Sequence, residues 1–270
     1  MINPIILNDL FTPEICSKII NHVSKKNNID FEPFSNSPYR SSLTKDELSN
    51  IDNEFIYKAE KLVSKTLEDN YIIDSMTIHY KDKWVGAEEH WHQDYPYNLI
   101  NYDDEPNNFY RLFIALDEHT EKNGCMMFIE NSHQEGLLEY DKILSIHSYQ
   151  KNRIKTDILD DCYKKYGIKY FPLIKGSGIL FNSLILHSSC SNQSPYPRKA
   201  IQIQFIKENT KKKLPNEISL FLKNRNLYEI TELEKRINDK KNKGEFKYIF
   251  KHSINYELEY IADENTFEKI

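Results

Sequence analysis

Hydrophobic positions in the first seventy residues recur at the period of an α-helix. One apolar stripe runs over residues 15–23 and follows Thr12, a residue that can cap a helix before the proline at position 13. A second stripe runs over residues 56–67, after a capping box that begins at Thr44. The stretch 31–42 between them is rich in Pro, Ser and Asn, and we predict it to be a loop.

After residue 70 the pattern changes to that of short strands. They are predicted over residues 71–80, 111–116, 126–129, 171–174, 178–181, 184–188 and 198–206. Asn123-Gly124 is a hairpin signal between the second and third strands, while residues 140–167 interrupt the series and are partly helical in pattern. Such a series indicates a mainly β fold with flanking helices, a sandwich or barrel, and not a parallel sheet.

The composition changes again after Ile206, where Asn, Glu and Lys dominate. We therefore expect one domain over residues 1–207, with helices in 1–70 and a β core in 71–207. Residues 208–270 are predicted to form a charged, partly helical extension packed on or beside that core. The lysine-rich run 240–243 is flanked by Asp239 and Glu245, which favours a solvated loop over a nucleic-acid site.

The overall charge excludes some classes of partner. The chain has 270 residues and a formal net charge of −5, so it has no global positive field to bind nucleic acid or an anionic membrane. Its four cysteines form no CxxC pair, which is typical of a reducing compartment. With no evident signal peptide and no apolar run long enough to span a bilayer, we predict a cytoplasmic protein.

The segment that indicates chemistry is Glu88-Glu-His-Trp-His-Gln-Asp-Tyr95. On a strand, His92 and Asp94 would share one face and could bind one ion. Two His and one carboxylate form the non-haem Fe(II) site of oxygenases, so a second His must come from elsewhere. The best candidate is His187, which follows a buried strand where an unpartnered polar ring would be costly. His90 lies on the same face as His92 but has no carboxylate two residues later, so we assign the metal to His92.

Arg198 follows His187 by eleven residues and is one of only six arginines in the chain. It begins an alternating strand in which Arg198, Ala200, Gln202 and Gln204 share one face. If that face meets solvent, its polarity is ordinary. If it faces the interior of a barrel, the arginine is suited to bind a carboxylate ligand through two hydrogen bonds.

Taken together, these motifs resemble the phytanoyl-CoA dioxygenase family of Fe(II)/2-oxoglutarate oxygenases. The resemblance rests on His92-Gln-Asp94, on the segment Asn123-Gly-Cys-Met-Met-Phe-Ile-Glu-Asn-Ser-His133, and on Gly178-Ile-Leu-Phe181 with His187 and Arg198. It runs from about Leu7 to Phe205. It implies a double-stranded β-helix, a jelly-roll or cupin-like barrel, flanked by helices.

The resemblance also implies roles for particular residues. His92, Asp94 and His187 would be the iron ligands, and Arg198 would bind the distal carboxylate of 2-oxoglutarate with Ser189 close by. Gln93 and Asn192 occupy family motif positions that line or brace the site. Lys81 and His79 share a strand face and are the candidates for the proximal carboxylate. One departure is Asn131, where the family usually has Gly; Asn tolerates the positive φ that Gly would supply.

The implied activity is a dioxygenase that uses Fe(II), 2-oxoglutarate and O2 to hydroxylate an aliphatic C–H of a small-molecule metabolite, with release of succinate and CO2. The carboxylate at position 94 favours hydroxylation, because halogenating relatives lack it. Two alternatives stay open. One is hydroxylation of a protein or peptide, with residues 208–270 as a docking surface; the other is a non-catalytic jelly-roll binding protein. The sequence specifies neither the substrate nor the oligomeric state.

Overall fold

The computed structural model describes residues 2–27, 29–31, 38–84, 86–143 and 151–215. Its helices are α1 (Pro13–Val23), α2 (Lys45–Ser49), α3 (Phe55–Leu67), α4 (Tyr95–Asn98) and α5 (Thr156–Tyr166), with 3-10 turns at Pro106–Asn108 and Ser132–Glu135. Its strands are β1 (Ile5–Leu7), β2 (Ile29–Phe31), β3 (Pro38–Ser42), β4 (Tyr71–Lys81), β5 (Glu89–His92), β6 (Phe109–Ala115), β7 (Met126–Ile129), β8 (Tyr140–Ile143), β9 (Lys151–Ile154), β10 (Lys169–Phe171), β11 (Gly178–Asn182), β12 (Leu186–Ser189) and β13 (Arg198–Lys207).

Two antiparallel sheets form the core. Within the described residues, the larger sheet has the order β1-β11-β6-β13-β4-β3-β2 and the smaller one β10-β7-β12-β5, while β8 and β9 pair separately. Apolar side chains from both sheets pack between them, and the ring of Phe128 lies 5.1 Å from that of Phe171 and 5.0 Å from that of Phe181. This arrangement is the predicted double-stranded β-helix.

Alternation along β13 places its two faces in different environments. Ile201, Ile203 and Phe205 pack outward against α1, α2 and α3 in one buried cluster. The opposite face, which carries Arg198 and Gln202, therefore lies between the two sheets. On the far side of the molecule, α5 covers the outer face of the smaller sheet through a second cluster. Helices thus shield both sheets and leave the space between them for a site.

The predicted helix starts are confirmed. The Thr12 hydroxyl oxygen accepts a hydrogen bond from the Ile15 N–H at 3.3 Å, and Thr44 and Glu47 form the reciprocal capping box. The predicted loop is wrong for Phe31, which ends β2, and for residues 38–42, which form β3; β3 pairs with both β2 and β4. Pro38 is tolerated at the first position of this strand. Residues 32–37 of that predicted loop lie outside the described part of the chain.

The Asn123-Gly124 turn exists, but it does not form the hairpin that the dipeptide predicts. The strands on either side of it, β6 and β7, belong to different sheets, so the turn carries the chain from one sheet to the other. Gly124 has a φ of +82°, and a Cβ at this position would lie 2.2 Å from the carbonyl oxygen of Cys190. The glycine is therefore required both by backbone conformation and by a close backbone approach.

We expect Gly124→Ala to destabilise the fold by at least about 2 kcal/mol, because the new methyl group adds a clash to an unfavourable φ. The midpoint of urea unfolding measures this loss. Gly136 is a control for the backbone cost without a clash: its φ is +74° and its ψ −152°, a conformation that alanine strongly disfavours, but nothing lies within 4 Å of an added Cβ. Gly136→Ala should lower the free energy of unfolding only through the unfavourable backbone conformation, without a clash. A loss in Gly124→Ala that is smaller than the loss in Gly136→Ala would contradict the role of the Cys190 contact.

The described beginning of the predicted extension packs against the segment that follows α4. Lys213 donates its main-chain N–H to the carbonyl of Asn101 at 2.8 Å, and Lys211 donates its own to the Asp104 carboxylate at 3.1 Å. Residues 216–270 lie outside the described part, so the predicted boundary at 207 and the partly helical tail stay predictions. None of the described helices combines the length and apolar character needed to cross a bilayer.

Candidate metal and cosubstrate site

Two histidines from neighbouring strands face each other at one end of the smaller sheet. His92 is the last residue of β5, His187 lies on β12, and the two are paired in the antiparallel register. Their ring centroids are 4.2 Å apart. Both side chains are buried. Backbone pairing therefore brings together two residues that are 95 positions apart in the sequence.

Asp94 joins them by a different route from the one predicted. The strand ends at His92, and Asp94 is the residue that precedes α4. Its Oδ1 lies 3.7 Å from His92 Nε2, and its Oδ2 lies 3.8 Å from His187 Nε2. One ligand atom from each of the three residues lies within 4.8 Å of the others. A turn, and not strand alternation, thus completes the cluster.

Main-chain carbonyls orient both imidazoles. His92 Nδ1 donates to the carbonyl of His90 at 2.6 Å, and His187 Nδ1 donates to that of Ile185 at 3.0 Å. In the neutral form of either ring, Nε2 is then the acceptor nitrogen, and it is directed at the cluster. Burial, followed by the nearby His92, lowers the pKa of His187 to about 4, so this ring is neutral near pH 7. Two such nitrogens and one carboxylate oxygen fit a borderline divalent cation such as Fe(II).

The Asp94 carboxylate has a buried cationic partner. Arg111, on β6, donates from Nε to Asp94 Oδ2 at 2.9 Å. Burial alone would raise the pKa of Asp94, but the Arg111 guanidinium beside it holds that pKa well below its usual range. No role at the metal site was predicted for Arg111 from the sequence. An arginine inside the otherwise apolar strand Phe109–Ala115, in a chain poor in arginine, is the signal that could have indicated it.

Arg198, at the start of β13, is buried on the face between the sheets and is only 3% exposed. Within the described residues its guanidinium has no ion pair, its Nε has no hydrogen-bond partner, and it lies 4.9 Å from the Phe113 ring centroid. Burial lowers the pKa of Arg198 to about 10, which still leaves it charged at pH 7. A buried cation in this state can accommodate a carboxylate.

Lys81 is the register partner of Arg198, but its ammonium group is already engaged. It donates to the main-chain carbonyls of Ala87, Ser189 and Cys190 at 2.6, 3.2 and 2.6 Å. These three bonds use its three donors, so the arrangement gives no support to Lys81 as the ligand of the proximal carboxylate, which stays a prediction. His79, the other candidate, lies two residues earlier and lines the same cavity.

Gln93 and Asn192 brace the site from outside the cavity. Gln93 donates to the carbonyls of Gly136 and Leu184 at 2.8 and 2.6 Å. Asn192 donates to the carbonyls of Lys81 and Tyr196 at 3.2 and 2.7 Å, which fixes the turn before Arg198. Of the two roles that the sequence left open for this pair, the geometry favours bracing.

One cavity of about 280 Å³ contains the cluster and Arg198. Its described lining includes Ser189, the apolar side chains of Phe113, Met126 and Phe181, and the polar side chains of Ser75, Thr77, Gln202 and Gln204. Gln202 pairs in register with Thr77, and Gln204 with Ser75. Along β13 the lining residues pass from buried Arg198 to half-buried Gln204, which lies beside exposed Ser75. The cavity therefore opens to solvent near Gln204.

A double-stranded β-helix with two histidines and one carboxylate converging between its sheets places this chain among the jelly-roll proteins with a candidate mononuclear metal site. Comparison with known families is more specific. The family model for phytanoyl-CoA dioxygenase (PhyH) matches residues 8–200, and the chain belongs to this family.

Individual relatives cover about half of this chain. Phytanoyl-CoA dioxygenase 1 of Oryza sativa subsp. japonica is 32% identical over 142 residues, which are 50% of this chain and 44% of the relative. Ectoine dioxygenase of Nocardia farcinica is 26% identical over 150 residues, 53% of this chain and 50% of the relative. The chain spans about half the length of these curated relatives or slightly less.

Solved structures share the fold over a larger part of the chain. EctD from S. alaskensis, with 2-oxoglutarate and 5-hydroxyectoine, superposes with a TM-score of 0.64 at 20% identity, covering 79% of this chain and 75% of EctD. The carbocyclase SnoK from nogalamycin biosynthesis gives a TM-score of 0.60 at 12% identity, over 78% of this chain and 82% of SnoK. At these identities the likeness concerns the fold alone.

Proposed function

We propose that the protein is a non-haem Fe(II)- and 2-oxoglutarate-dependent dioxygenase that hydroxylates an aliphatic C–H of a small molecule. The observation that supports this most directly is that the His92, Asp94 and His187 cluster shares one cavity with the Arg198 guanidinium, which has no ion pair among the described residues. Family membership supports the same reaction class. When bound, Fe(II) with 2-oxoglutarate and O2 supplies the oxidising chemistry and yields succinate and CO2.

The chain's own groups provide position and exclude water. His92 and His187 hold the metal through Nε2, and Asp94 holds it through a carboxylate oxygen. Arg198 binds the distal carboxylate of 2-oxoglutarate through its two-pronged guanidinium, with Ser189 beside it. Lining side chains such as Phe113 and Phe181 keep that part of the cavity apolar, which strengthens the charge–charge contacts inside it.

The size of the cavity supports a small-molecule substrate. About 280 Å³ lies just below the usual range for ligand pockets, and 2-oxoglutarate would occupy part of it. Ser75, Thr77 and Gln204 make no side-chain hydrogen bond within the described residues, so they are free to bind polar groups of a ligand. An acyl chain would desolvate these groups without replacing their hydrogen bonds. The lining therefore favours a small polar substrate.

A succinate-release assay tests this proposal. Purified protein with Fe(II), ascorbate and 2-oxoglutarate should release succinate, and small polyols, hydroxy acids or amides should stimulate this release more than long-chain acyl-coenzyme A esters. A protein that neither binds 2-oxoglutarate nor releases succinate would contradict the dioxygenase. Stimulation by acyl esters alone would contradict the substrate class, and stimulation by peptides alone would favour the protein hydroxylase.

A further inference from the structure

The orientation of Asp94 needs an explanation that the sheet does not provide. The strand ends at His92, and Asp94 lies in the turn before the four-residue helix α4. Two donors from the larger sheet hold its side chain: Arg111 Nε at 2.9 Å and Gln202 Nε2 at 3.3 Å, both to Oδ2. The candidate carboxylate ligand is therefore positioned by residues on other strands.

Arg111 is a rigid support for this contact. It lies on β6, between β11 and β13, where its register partners are Phe181 and Gln204. Its side chain is 7% exposed, and its Nη2 donates to Asn98 Oδ1 at 2.9 Å. The two contacts fix the guanidinium plane at two points, one before and one at the end of α4. A lysine, with a single flexible ammonium, would not reproduce this geometry.

The two oxygens of Asp94 are thereby made unequal. Oδ2 accepts both hydrogen bonds, whereas Oδ1 accepts none within the described residues. The distances to the imidazoles are nearly equal, 3.7 Å from Oδ1 to His92 Nε2 and 3.8 Å from Oδ2 to His187 Nε2, so the hydrogen bonds are what distinguishes the two oxygens. We propose that Arg111 is a positioning residue that holds Oδ2 by a hydrogen bond, so that Oδ1 would be the oxygen of Asp94 left to bind a metal. This inference rests on the proposed function. A carboxylate that binds through one oxygen leaves more coordination positions on the metal for 2-oxoglutarate and O2, which matters only in a dioxygenase.

The positioning role and a simple charge role predict opposite results. A guanidinium beside a metal site repels the cation, so removing its charge alone would tighten metal binding. Removing a group that orients a ligand weakens metal binding, commonly by about 10–100-fold. The direction of the change therefore distinguishes the two roles.

The experiment measures Mn(II) affinity without turnover in Arg111→Met and Arg111→Lys, together with the visible absorption of bound Co(II), which reports ligand geometry. We expect Arg111→Met to weaken Mn(II) binding by about 10–100-fold. Arg111→Lys should weaken it less, and both should alter the Co(II) spectrum. Arg153, a half-buried arginine on β9, supplies the matched control Arg153→Met, which should leave affinity and spectrum unchanged.

Unchanged or tighter Mn(II) binding in Arg111→Met would overturn the proposal and indicate charge compensation. If that variant does not fold, Arg111→Lys decides, because wild-type affinity and spectrum there also overturn it. Thermal unfolding without metal shows whether each variant is folded. A wild-type protein that binds neither Mn(II) nor Co(II) would instead contradict the proposed function, so the two failures are distinguishable.

Discussion

His92→Ala and His187→Ala are expected to lose divalent-metal binding and, with it, 2-oxoglutarate turnover. Each variant removes one of three ligand side chains from a buried cluster whose ligand atoms lie within 4.8 Å of one another. Structural zinc sites gain about 10–16 kcal/mol from four ligands, so a lost ligand costs about 3 kcal/mol, or more than 100-fold in affinity. Isothermal titration calorimetry with Mn(II) measures the loss of affinity.

His90→Ala is the matched control for this prediction. His90 lies two residues before His92 on the same strand and contributes its carbonyl, not its ring, to the hydrogen bond with His92 Nδ1. Alanine preserves that carbonyl, so Mn(II) affinity should stay close to that of the wild type. A large loss in His90→Ala, with binding retained in His92→Ala, would show that the metal was assigned to the wrong histidine.

Arg198→Met is expected to reduce 2-oxoglutarate affinity by about 100-fold or more. Two hydrogen bonds between charged groups are each worth about 1.5–3 kcal/mol, and both are lost with the guanidinium. Arg198→Lys keeps a positive charge but not the two parallel N–H donors of the guanidinium, so its loss of 2-oxoglutarate affinity should be smaller. The measurement is 2-oxoglutarate binding to the Mn(II)-loaded protein, whose Mn(II) affinity should be unchanged.

Arg198→Met is also expected to change the free energy of unfolding. Because Arg198 is buried without an ion pair in the described part of the chain, methionine removes an uncompensated charge from the ligand-free protein. Its free energy of unfolding should therefore be equal to or higher than that of the wild type. A marked loss of stability, together with wild-type 2-oxoglutarate binding, would identify Arg198 as a structural residue.

Local sequence chemistry predicted the features that depend on neighbouring residues. The helix starts at Thr12 and Thr44 were predictable because a hydroxyl caps main-chain N–H groups only three positions away. Asn131 adopts a φ of +68°, as expected for the residue that replaces a family glycine. The alternation around Arg198 defined two faces of a strand, although it did not show which face is inside.

Contacts between distant strands could not be predicted in this way. The Asn123-Gly124 turn was visible, but whether its flanking strands pair depends on which sheet each strand joins. The Arg111–Asp94 contact crosses from one sheet to a turn outside the other, and no local pattern encodes it. The engagement of the Lys81 ammonium by three carbonyls also depends on loops that meet only in the folded chain.

By itself, the sequence determined the types of group available: two imidazoles, one carboxylate and an isolated arginine at family spacing, in a chain patterned for helices followed by short strands. Tertiary structure alone decided that His92 pairs with His187, that the Arg198 face is inside, and that Arg111 holds Asp94. The physical reason is range: caps and alternation act over a few residues, whereas strand pairing and burial join groups much further apart in the chain, 17 positions for Arg111 and Asp94 and 95 for His92 and His187.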